Sequence, residues 1–253
     1  MKIGIVLVAT NAYFVMGIKF VKRFYQFYTG SDPVVFYFFS DTDPKPYVPD
    51  HIDIKHIKEE HKTWVSATNS KFKNILKLQN EDADYLFYFD ADTNVSSKFD
   101  CNWFLGDLVG GEHFGNRGWM KDKKPFDRNP DSKAYVPLNT ELPQTYVYGA
   151  FFGGKKDRLV DFCSTLSDWQ MEDKKIPYEP AWNDESYINK FFHFSSDGDV
   201  KIIKTEDFPF QVSDKSGIGD SRDSKLDVEH IKEDLLKYKD LPINICGGKV
   251  LPL

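Results

Sequence analysis

The sequence predicts an α/β fold, in which helices flank a mainly parallel, Rossmann-like β-sheet. Two observations support this prediction. Apolar runs of strand length alternate along the chain with segments of helical period, the order expected of parallel strands joined by helices. The clearest run, residues 85–89, is continuously apolar and aromatic, which is typical of a strand buried on both faces. It ends in Asp90 and Asp92.

The first 92 residues follow a β-α-β-β-α-β order. An apolar strand begins almost at the N-terminus, and the helix after it carries Phe14, Ile18 and Val21 near one face. Gly30 and Pro33 end this helical segment, and a proline-rich loop separates the next two strands. The elements predicted here are strands at residues 2–9, 34–39, 52–57 and 85–92, and helices at residues 12–28 and 68–78.

The second part of the chain is less regular. Residues 110–141 are polar and rich in Pro and Gly, and a long irregular stretch inside a domain is usually functional. Residues 213–225 are rich in Ser, Asp and Gly, which predicts a mobile loop. The elements predicted here are strands at residues 146–152 and 200–204, and helices at residues 156–171, 184–194 and 228–239.

Composition limits the classes of function. With 253 residues, of which 41% are hydrophobic and 16% aromatic, the chain can bury a large core in one domain. The net charge of -6 argues against nucleic acid or an anionic membrane as a partner. No stretch has the length of a membrane anchor or the pattern of a signal peptide. Because its three cysteines are scattered, we expect reduced thiols and a cytoplasmic protein.

Asp90 and Asp92 are the first candidate site. Ligands of open α/β sheets bind beyond the carboxyl ends of the strands, and residues two apart on an extended chain point to the same side. Two carboxylates placed in this way suit a divalent cation that holds a phosphate or diphosphate. The alternative is a pair of solvated loop carboxylates, since Asp-x-Asp is a short pattern in a chain with 39 acidic residues.

Asp184 and Glu185, which follow Trp182 and Asn183, are the second candidate site. The helix dipole favours carboxylates in the first turn of a helix, so capping alone could explain them. The functional alternative is a carboxylate held against a sugar, because a glycosyl group that passes through an oxocarbenium-like state needs a nearby negative group. Trp182 would then offer an aromatic surface to a sugar, or would pack in the core.

Two further segments are candidates for ligand contact. Gly149 and Ala150 lie in an apolar strand and could leave room for a ligand, while Gly153 and Gly154 are predicted to turn the chain. Arg128 follows Asp127 in the long polar stretch, where the two could bind polar ligand groups or pair with each other. Phosphate-binding P-loop and dinucleotide-binding glycine motifs are absent from the sequence.

Taken in order, these segments resemble the family 6 glycosyltransferases, the retaining α-1,3-galactosyl- and N-acetylgalactosaminyltransferases that include the histo-blood group A and B enzymes. The resemblance covers roughly residues 2–204. Five ordered blocks are far more specific than any one short motif. The similar blocks are Trp64 with residues 71–73, residues 89–92, residues 126–128 with 134–137, residues 148–154 and residues 182–192.

The resemblance implies a GT-A fold and a retaining hexosyltransferase that uses a UDP-sugar donor and an oligosaccharide or glycan acceptor. It implies one domain over residues 1–253, with a nucleotide-binding half at residues 1–95 and a donor-sugar and acceptor half at residues 96–253. Asp90 and Asp92 would hold Mn²⁺ (or Mg²⁺), and Glu185 would be the catalytic carboxylate. The implied donor-binding residues are Tyr13, Lys71, Tyr148, Gly149, Ala150 and Asp184, and the implied acceptor-binding residues are Trp182 and Arg128.

The chain departs from the family at several positions. Lys71 aligns with an arginine, and Asn183 aligns with a histidine of the vertebrate members. Because the two metal aspartates are kept, we expect metal dependence. The resemblance itself implies transfer of Gal or GalNAc in an α-1,3 linkage. A soluble microbial or viral type is expected. The alternatives are a UDP-sugar hydrolase with weak transfer activity, or a silent UDP-sugar binding protein.

Overall fold

A seven-stranded sheet is the largest element in the computed structural model of the chain, which describes residues 1–60, 63–117, 125–138, 145–195, 198, 200–211, 228–237, 239–240, 243–246 and 249–252. The strands are β1 (Ile3–Val8), β2 (Val34–Ser40), β3 (Asp53–Lys58), β4 (Tyr85–Asp90), β5 (Asn94–Val95), β6 (Leu108–Glu112), β7 (Val147–Lys155), β8 (Lys201–Ile203), β9 (Phe210–Gln211), β10 (Ile243–Cys246) and β11 (Lys249–Pro252). The helices are α1 (Tyr13–Phe27), α2 (Trp64–Asn69), α3 (Lys71–Leu76), α4 (Lys156–Asp173), α5 (Asn183–Phe194) and α6 (Val228–Lys237).

The strand order of the large sheet is β3-β2-β1-β4-β7-β6-β8. The pairs β1–β2, β2–β3 and β6–β8 are parallel, and the pair β6–β7 is antiparallel. Every residue of β2 is buried, as expected of a strand covered on both faces. The predicted α/β class with a mainly parallel, Rossmann-like sheet is confirmed.

The described chain divides into two compact units, each built from segments that are distant in sequence. The first unit comprises Met1–Ala67, Phe87–Trp103 and Pro209–Leu253, and the second comprises Thr68–Leu86 and Phe104–Phe208. Neither unit is a continuous half of the chain. The assignment of residues 1–95 to nucleotide binding and of residues 96–253 to the donor sugar and acceptor stays a prediction.

Aromatic rings fill the core of the first unit. The ring of Phe24 in α1 lies 5.3 Å from that of Phe36 in β2 and 4.8 Å from that of Phe99, measured between centroids. Phe210 of β9 lies 4.8 Å from Phe89 of β4. The contacts are mostly edge-to-face, a geometry that aromatic pairs prefer. These rings attach α1 and the short β5–β9 ladder to the strands of this unit.

The second unit has its own aromatic core beneath α4 and α5. Phe162 of α4 lies 5.7 Å from Phe152 of β7 and 4.8 Å from Phe191 of α5. Phe72 of α3 is fully buried and also contacts Phe152, at 6.1 Å. The core therefore fixes α3, α4 and α5 against β7, the strand that carries the predicted donor-sugar segment.

Two predictions of local structure are wrong for identifiable reasons. The helix predicted at residues 68–78 is two short helices, α2 and α3, which separate at Ser70. Thr68, Asn69 and Ser70 are poor helix formers, and their side chains compete for backbone hydrogen bonds. Gly153 and Gly154 do not turn the chain, because both continue β7 and pair with β6.

Strand β6 was not predicted. Its sequence, Leu-Val-Gly-Gly-Glu, is too short and too rich in glycine to indicate a strand. A side chain at Gly110 would meet the ring of Phe192, and one at Gly111 would meet the ring of Tyr148. The two glycines therefore allow a close approach that only the folded chain reveals.

The predicted mobile loop, residues 213–225, lies outside the described residues, and so do residues 118–124 and 139–144. Cys101 and Cys163 are buried free thiols. Within the described part of the chain, no helix is both long enough and apolar enough to span a bilayer.

Candidate active site

The N-terminus of α5 carries the most distinctive group of polar side chains in the second unit. Asp184 and Glu185 lie in its first turn, where the positive end of the helix dipole favours carboxylates. The N-cap residue of α5 is Trp182, so neither carboxylate occupies the capping position, and Trp182 forms no side-chain capping hydrogen bond. Asn183 has a φ of 46°, in the left-handed region that asparagine tolerates. The sharp turn at Asn183 directs the two carboxylates toward β7, where both contact Gly149.

Glu185 binds the backbone of β7. One carboxylate oxygen, Oε2, accepts a hydrogen bond of 2.6 Å from the N–H of Gly149. Burial raises the pKa of Glu185 to about 7, and the negative charge of Asp184 acts in the same direction. The Gly149 N–H, the Tyr146 hydroxyl and Lys71 lower this pKa, but their combined effect is smaller. Glu185 is therefore poised between its two protonation states near neutral pH.

Asp184 is neutralised by a buried amine. Nζ of Lys71 lies 2.8 Å from Oδ2 of Asp184 and also donates a hydrogen bond of 3.2 Å to the carbonyl oxygen of Gly149. The two residues are only 4% and 3% exposed, so water contributes little to their solvation. Lys71 thus joins α3, β7 and α5 at one point, and Glu185 is left as the carboxylate without a direct ion pair to Lys71.

The small residues of β7 make this arrangement possible. A side chain added at Gly149 would come within 3.0 Å of Oδ2 of Asp184 and 3.3 Å of Cβ of Glu185. Ala150 is 5% exposed, and Tyr148 packs edge-on against Phe208 at 5.5 Å. The sequence prediction placed these residues together with Asp184 and Glu185, and the structure brings Lys71, Gly149, Asp184 and Glu185 into direct contact.

Asn189 fixes α5 against β7. Its amide oxygen accepts a hydrogen bond of 2.8 Å from the N–H of Val147, and its amide nitrogen donates to the carbonyl oxygens of Val147 at 2.7 Å and Glu185 at 2.9 Å. The side chain is 1% exposed, and a buried amide group needs hydrogen-bond partners of this kind. The position of Glu185 relative to the strand is therefore set by Asn189 as well as by Gly149.

Tyr146 is a residue of this site that sequence reasoning missed. It is fully buried, directly before β7, and its hydroxyl interacts with the Glu185 carboxylate. Burial and the neighbouring Glu185 raise the pKa of Tyr146, so the hydroxyl stays protonated and can donate. Its only sequence signal was a place two residues before Tyr148, on the same side of the strand.

Trp182 and Phe114 are two of the exposed aromatic side chains of the second unit. Trp182, which precedes the acidic turn, is 46% exposed, so the alternative of core packing is wrong. Phe114 is 56% exposed and stacks on His113 at 4.5 Å, and His113 in turn contacts the ring of Tyr146 at 5.8 Å. No sequence motif indicated His113 or Phe114. The backbone N–H of His113 also donates a hydrogen bond of 2.8 Å to the carbonyl oxygen of Tyr146.

Arg128 binds its own segment. Its guanidinium donates hydrogen bonds to the carbonyl oxygens of Val136 at 2.6 Å and Pro137 at 2.7 Å, and it lies 5.3 Å from the centroid of the Phe126 ring. The side chain is partly exposed, and these hydrogen bonds go to Val136 and Pro137 rather than to Asp127. Its predicted role in acceptor binding remains a prediction.

The predicted metal ligands lie in the first unit. Asp90 is the last residue of β4, and its Oδ1 accepts a hydrogen bond of 2.7 Å from the Tyr88 hydroxyl, which orients the carboxylate. Asp90 and Asp92 are both partly exposed. The described residues contain no group of three or more His, Cys, Asp or Glu side chains suited to a metal. Two carboxylates fit Mn²⁺ or Mg²⁺ when phosphate and water oxygens complete the coordination.

Tyr13, which the resemblance implies to be a donor-binding residue, is the first residue of α1 in the same unit. It is partly exposed, and its backbone N–H donates a hydrogen bond of 3.2 Å to the carbonyl oxygen of Thr10. Asn11, just before it, has a φ of 53° and donates from its N–H to the Asp41 carboxylate. The turn that begins α1 is thus held to the end of β2.

Comparison with known proteins gives a consistent result. The family model described as Glycosyltransferase family 6 matches residues 1–208. Globoside alpha-1,3-N-acetylgalactosaminyltransferase 1 of Gallus gallus is 26% identical over 215 residues, which are 81% of this chain and 60% of the relative. Histo-blood group ABO system transferase 2 of Rattus norvegicus is 24% identical over 212 residues, 81% of this chain and 62% of the relative.

A third relative, Alpha-1,3-galactosyltransferase 2 of Homo sapiens, is 30% identical over 118 residues, 46% of this chain and 33% of the relative. The chain therefore spans about 60% of the length of the relatives that it matches most extensively. The family match covers both the Asp90–Asp92 segment and the α5 segment that carries Glu185.

Proposed function

The chain belongs to glycosyltransferase family 6, and from this membership we propose that it transfers galactose or N-acetylgalactosamine from a UDP-sugar to a hydroxyl group of a saccharide. We further propose that transfer retains the α-configuration and forms an α-1,3 linkage. The relatives are named as galactosyl- and N-acetylgalactosaminyltransferases, and these names support the choice of sugar.

One structural observation supports the proposal most strongly. Glu185 and the Lys71–Asp184 pair converge on the small residue Gly149, with contacts of 2.6 to 3.2 Å. A reaction that passes through an oxocarbenium-like state needs a negative group beside the anomeric carbon. Since Lys71 neutralises Asp184, Glu185 is the carboxylate whose charge is available for this purpose. Helix capping alone does not explain a buried lysine at the same point.

In this proposal each residue has a distinct role. The bond between the sugar and the diphosphate breaks, and the ionised Glu185 stabilises the positive charge that develops at the anomeric carbon. Asp184 and Lys71 contact hydroxyl groups of the donor sugar, and Gly149 and Ala150 leave room for the ring. Tyr148 forms part of the same donor-sugar wall, and Tyr13 lies against the nucleotide base.

We propose that Asp90 and Asp92 hold Mn²⁺ or Mg²⁺ together with the diphosphate of the donor. When bound, the cation acts as a Lewis acid and neutralises negative charge on the departing UDP. The Tyr88 hydroxyl, which donates to Asp90, keeps that carboxylate oriented for coordination. Trp182 is exposed and offers an aromatic surface to the acceptor saccharide, and Arg128 is proposed to act on the acceptor side.

A donor screen tests this function. UDP release is measured from UDP-Gal, UDP-GalNAc, UDP-Glc and UDP-GlcNAc with manganese or EDTA, in the presence and absence of lactose-type or fucosylated acceptors. We expect release from UDP-Gal or UDP-GalNAc that requires the metal and produces a glycosylated acceptor. Glu185→Gln is expected to lower turnover by about 100-fold or more while leaving UDP binding nearly unchanged.

Glu172→Gln is the matched control, because Glu172 is an exposed acid of α4 that pairs with Lys175. It should leave turnover unchanged. Release that does not depend on the acceptor would favour the UDP-sugar hydrolase, and UDP binding without turnover of any donor would favour a silent binding protein. Full activity in EDTA would remove the proposed metal from Asp90 and Asp92.

A further inference from the structure

A second buried carboxylate, Asp173, lies at the C-terminal end of α4 and belongs to none of the groups described so far. Asp173 is 3% exposed and accepts three hydrogen bonds. The donors are the Ser132 hydroxyl at 2.7 Å, the backbone N–H of Lys133 at 2.7 Å and the Tyr187 hydroxyl at 2.9 Å. A buried carboxylate is unfavourable unless it is hydrogen-bonded, and here three donors compensate it.

These donors come from two different places. Ser132 and Lys133 belong to the polar segment at residues 125–138, whereas Tyr187 belongs to α5 and lies two residues after Glu185. Tyr187 is 3% exposed, and burial together with Asp173 raises its pKa, so it remains a donor at neutral pH. Asp173 therefore connects the segment to the helix that carries Glu185.

A second set of hydrogen bonds closes the segment and also holds it to Tyr178. The Tyr178 hydroxyl donates to Oδ2 of Asp127 at 2.7 Å, and the N–H of Val136 donates to the carbonyl oxygen of Asp127 at 2.9 Å. This closure brings Phe126 and Val136 into one buried cluster with Tyr146. The rings of Phe126 and Tyr146 lie 5.3 Å apart, edge to face.

We propose that Asp173 is a positioning residue for Glu185: by fixing residues 125–138 against α5, it presses Phe126 and Val136 onto Tyr146 and keeps water from that side of the Glu185 carboxylate. The contact runs from Asp173 through the segment to Tyr146, whose hydroxyl interacts with Glu185. Asp173 itself has no role in binding or charge transfer.

The groups that face Glu185 distinguish exclusion of water by the segment from a direct charge interaction between Asp173 and Glu185. They are Asp184 of α5, Lys71 of α3, the Tyr146 hydroxyl and the Gly149 N–H, and Asp173 is not among them. Burial is the largest cause of the raised pKa of Glu185. If Asp173 acts through the segment, its removal admits water beside Tyr146, and the pKa of Glu185 falls toward its ordinary value of 4.5.

The test is a carboxyl titration by NMR of protein labelled with ¹³C-glutamate, with Glu185 assigned from the signal lost in Glu185→Gln. In the wild type we expect Glu185 to titrate at about 7. In Asp173→Ala we expect its pKa to fall by about one pH unit or more. A folded Asp173→Ala protein in which Glu185 still titrates as in the wild type would overturn the proposal.

Milder variants guard against loss of folding. Ser132→Ala and Tyr187→Phe each remove one donor to Asp173 and are expected to shift the pKa of Glu185 in the same direction by less. Glu172→Gln, which removes an exposed acid next to Asp173, should cause no shift. No shift in either milder variant, where Asp173→Ala does not fold, would also contradict the proposal.

A kinetic readout rests on the proposed function, whereas the titration does not. The acid limb of the pH–rate profile for UDP release is expected to move to lower pH in Asp173→Ala, by the same amount as the titration of Glu185. If the wild-type protein releases no UDP, the proposed transferase function fails and the titration alone decides the role of Asp173.

Discussion

The buried contact between Lys71 and Asp184 shows what the sequence can and cannot predict about a single residue. The resemblance named Lys71 as a donor-binding residue, at a position where the family has an arginine. The structure places its amine on Asp184 and on the Gly149 carbonyl, between helices α3 and α5. Asp184 lies 113 positions away, so no local pattern indicated that the two side chains pair.

We predict that Lys71→Met destabilises the protein strongly. Removing one partner of a buried ion pair leaves an uncompensated charge, which costs about 3–5 kcal/mol. Asp184 is 3% exposed, so water cannot replace the lost amine. The expected result is a large fall in the free energy of unfolding measured by urea titration at pH 8.

Lys175→Met is the matched control for Lys71→Met. Its amine pairs with Glu172 at 2.6 Å, but the side chains are 67% and 49% exposed. Exposed pairs contribute little because water and salt screen them. We expect an unfolding midpoint close to that of the wild type. Equal destabilisation by the two variants would mean that the Lys71–Asp184 contact is not buried.

At the scale of elements, β7 is longer than the sequence predicted because it pairs with the unpredicted β6. Gly154 pairs with Leu108, and Gly153 pairs with Val109. Two consecutive glycines usually indicate a turn, and that interpretation was reasonable for an isolated segment. The glycines instead serve a close backbone approach, because Gly154 has a φ of 147° and a side chain there would collide with the Asp107 carbonyl.

We predict that Gly154→Ala lowers the free energy of unfolding by about 2–4 kcal/mol, because it combines an unfavourable φ with a backbone collision. Urea unfolding of the two proteins measures the difference. Gly198→Ala separates the two causes, since Gly198 has a φ of 101° but no atom of the described residues lies within 4 Å of an added side chain. Strain alone predicts a loss of about 1–2 kcal/mol there. A loss at Gly198 as large as that at Gly154 would argue against the collision.

At the scale of the whole molecule, elements defined by local sequence patterns were predicted, whereas contacts between residues distant in sequence were not. The strands at residues 34–39 and 85–92 and the helix at residues 156–171 were predicted because their apolar runs are local. The β6–β7 pairing, the Asp173 network and the Tyr146–Glu185 contact join residues that are distant in sequence. Short motifs therefore located Glu185, but only the fold revealed what surrounds it.

The free energy of unfolding is a small difference between large terms. A single carboxyl group whose pKa changes on folding therefore alters the stability of the whole molecule. Burial raises the pKa of Glu185 from 4.5 to about 7 in the folded protein. Between these pH values the folded state keeps a proton that the unfolded state has released. The unfolded state then binds fewer protons, so the contribution of Glu185 to stability decreases as pH rises through this window.

We predict that Glu185→Gln stabilises the protein relative to the wild type at pH 8 and has a much smaller effect at pH 5. Glutamine keeps an oxygen for the Gly149 N–H but carries no charge to desolvate. The gain at pH 8 over that at pH 5 is expected to be about 1–3 kcal/mol, measured by urea unfolding at both pH values. Glu172→Gln should give no such gain, because Lys175 lowers the pKa of Glu172. A Glu185→Gln effect that is equal at pH 5 and pH 8 would mean that the Glu185 carboxylate ionises normally, and the activity of this site would then not depend on a desolvated charge.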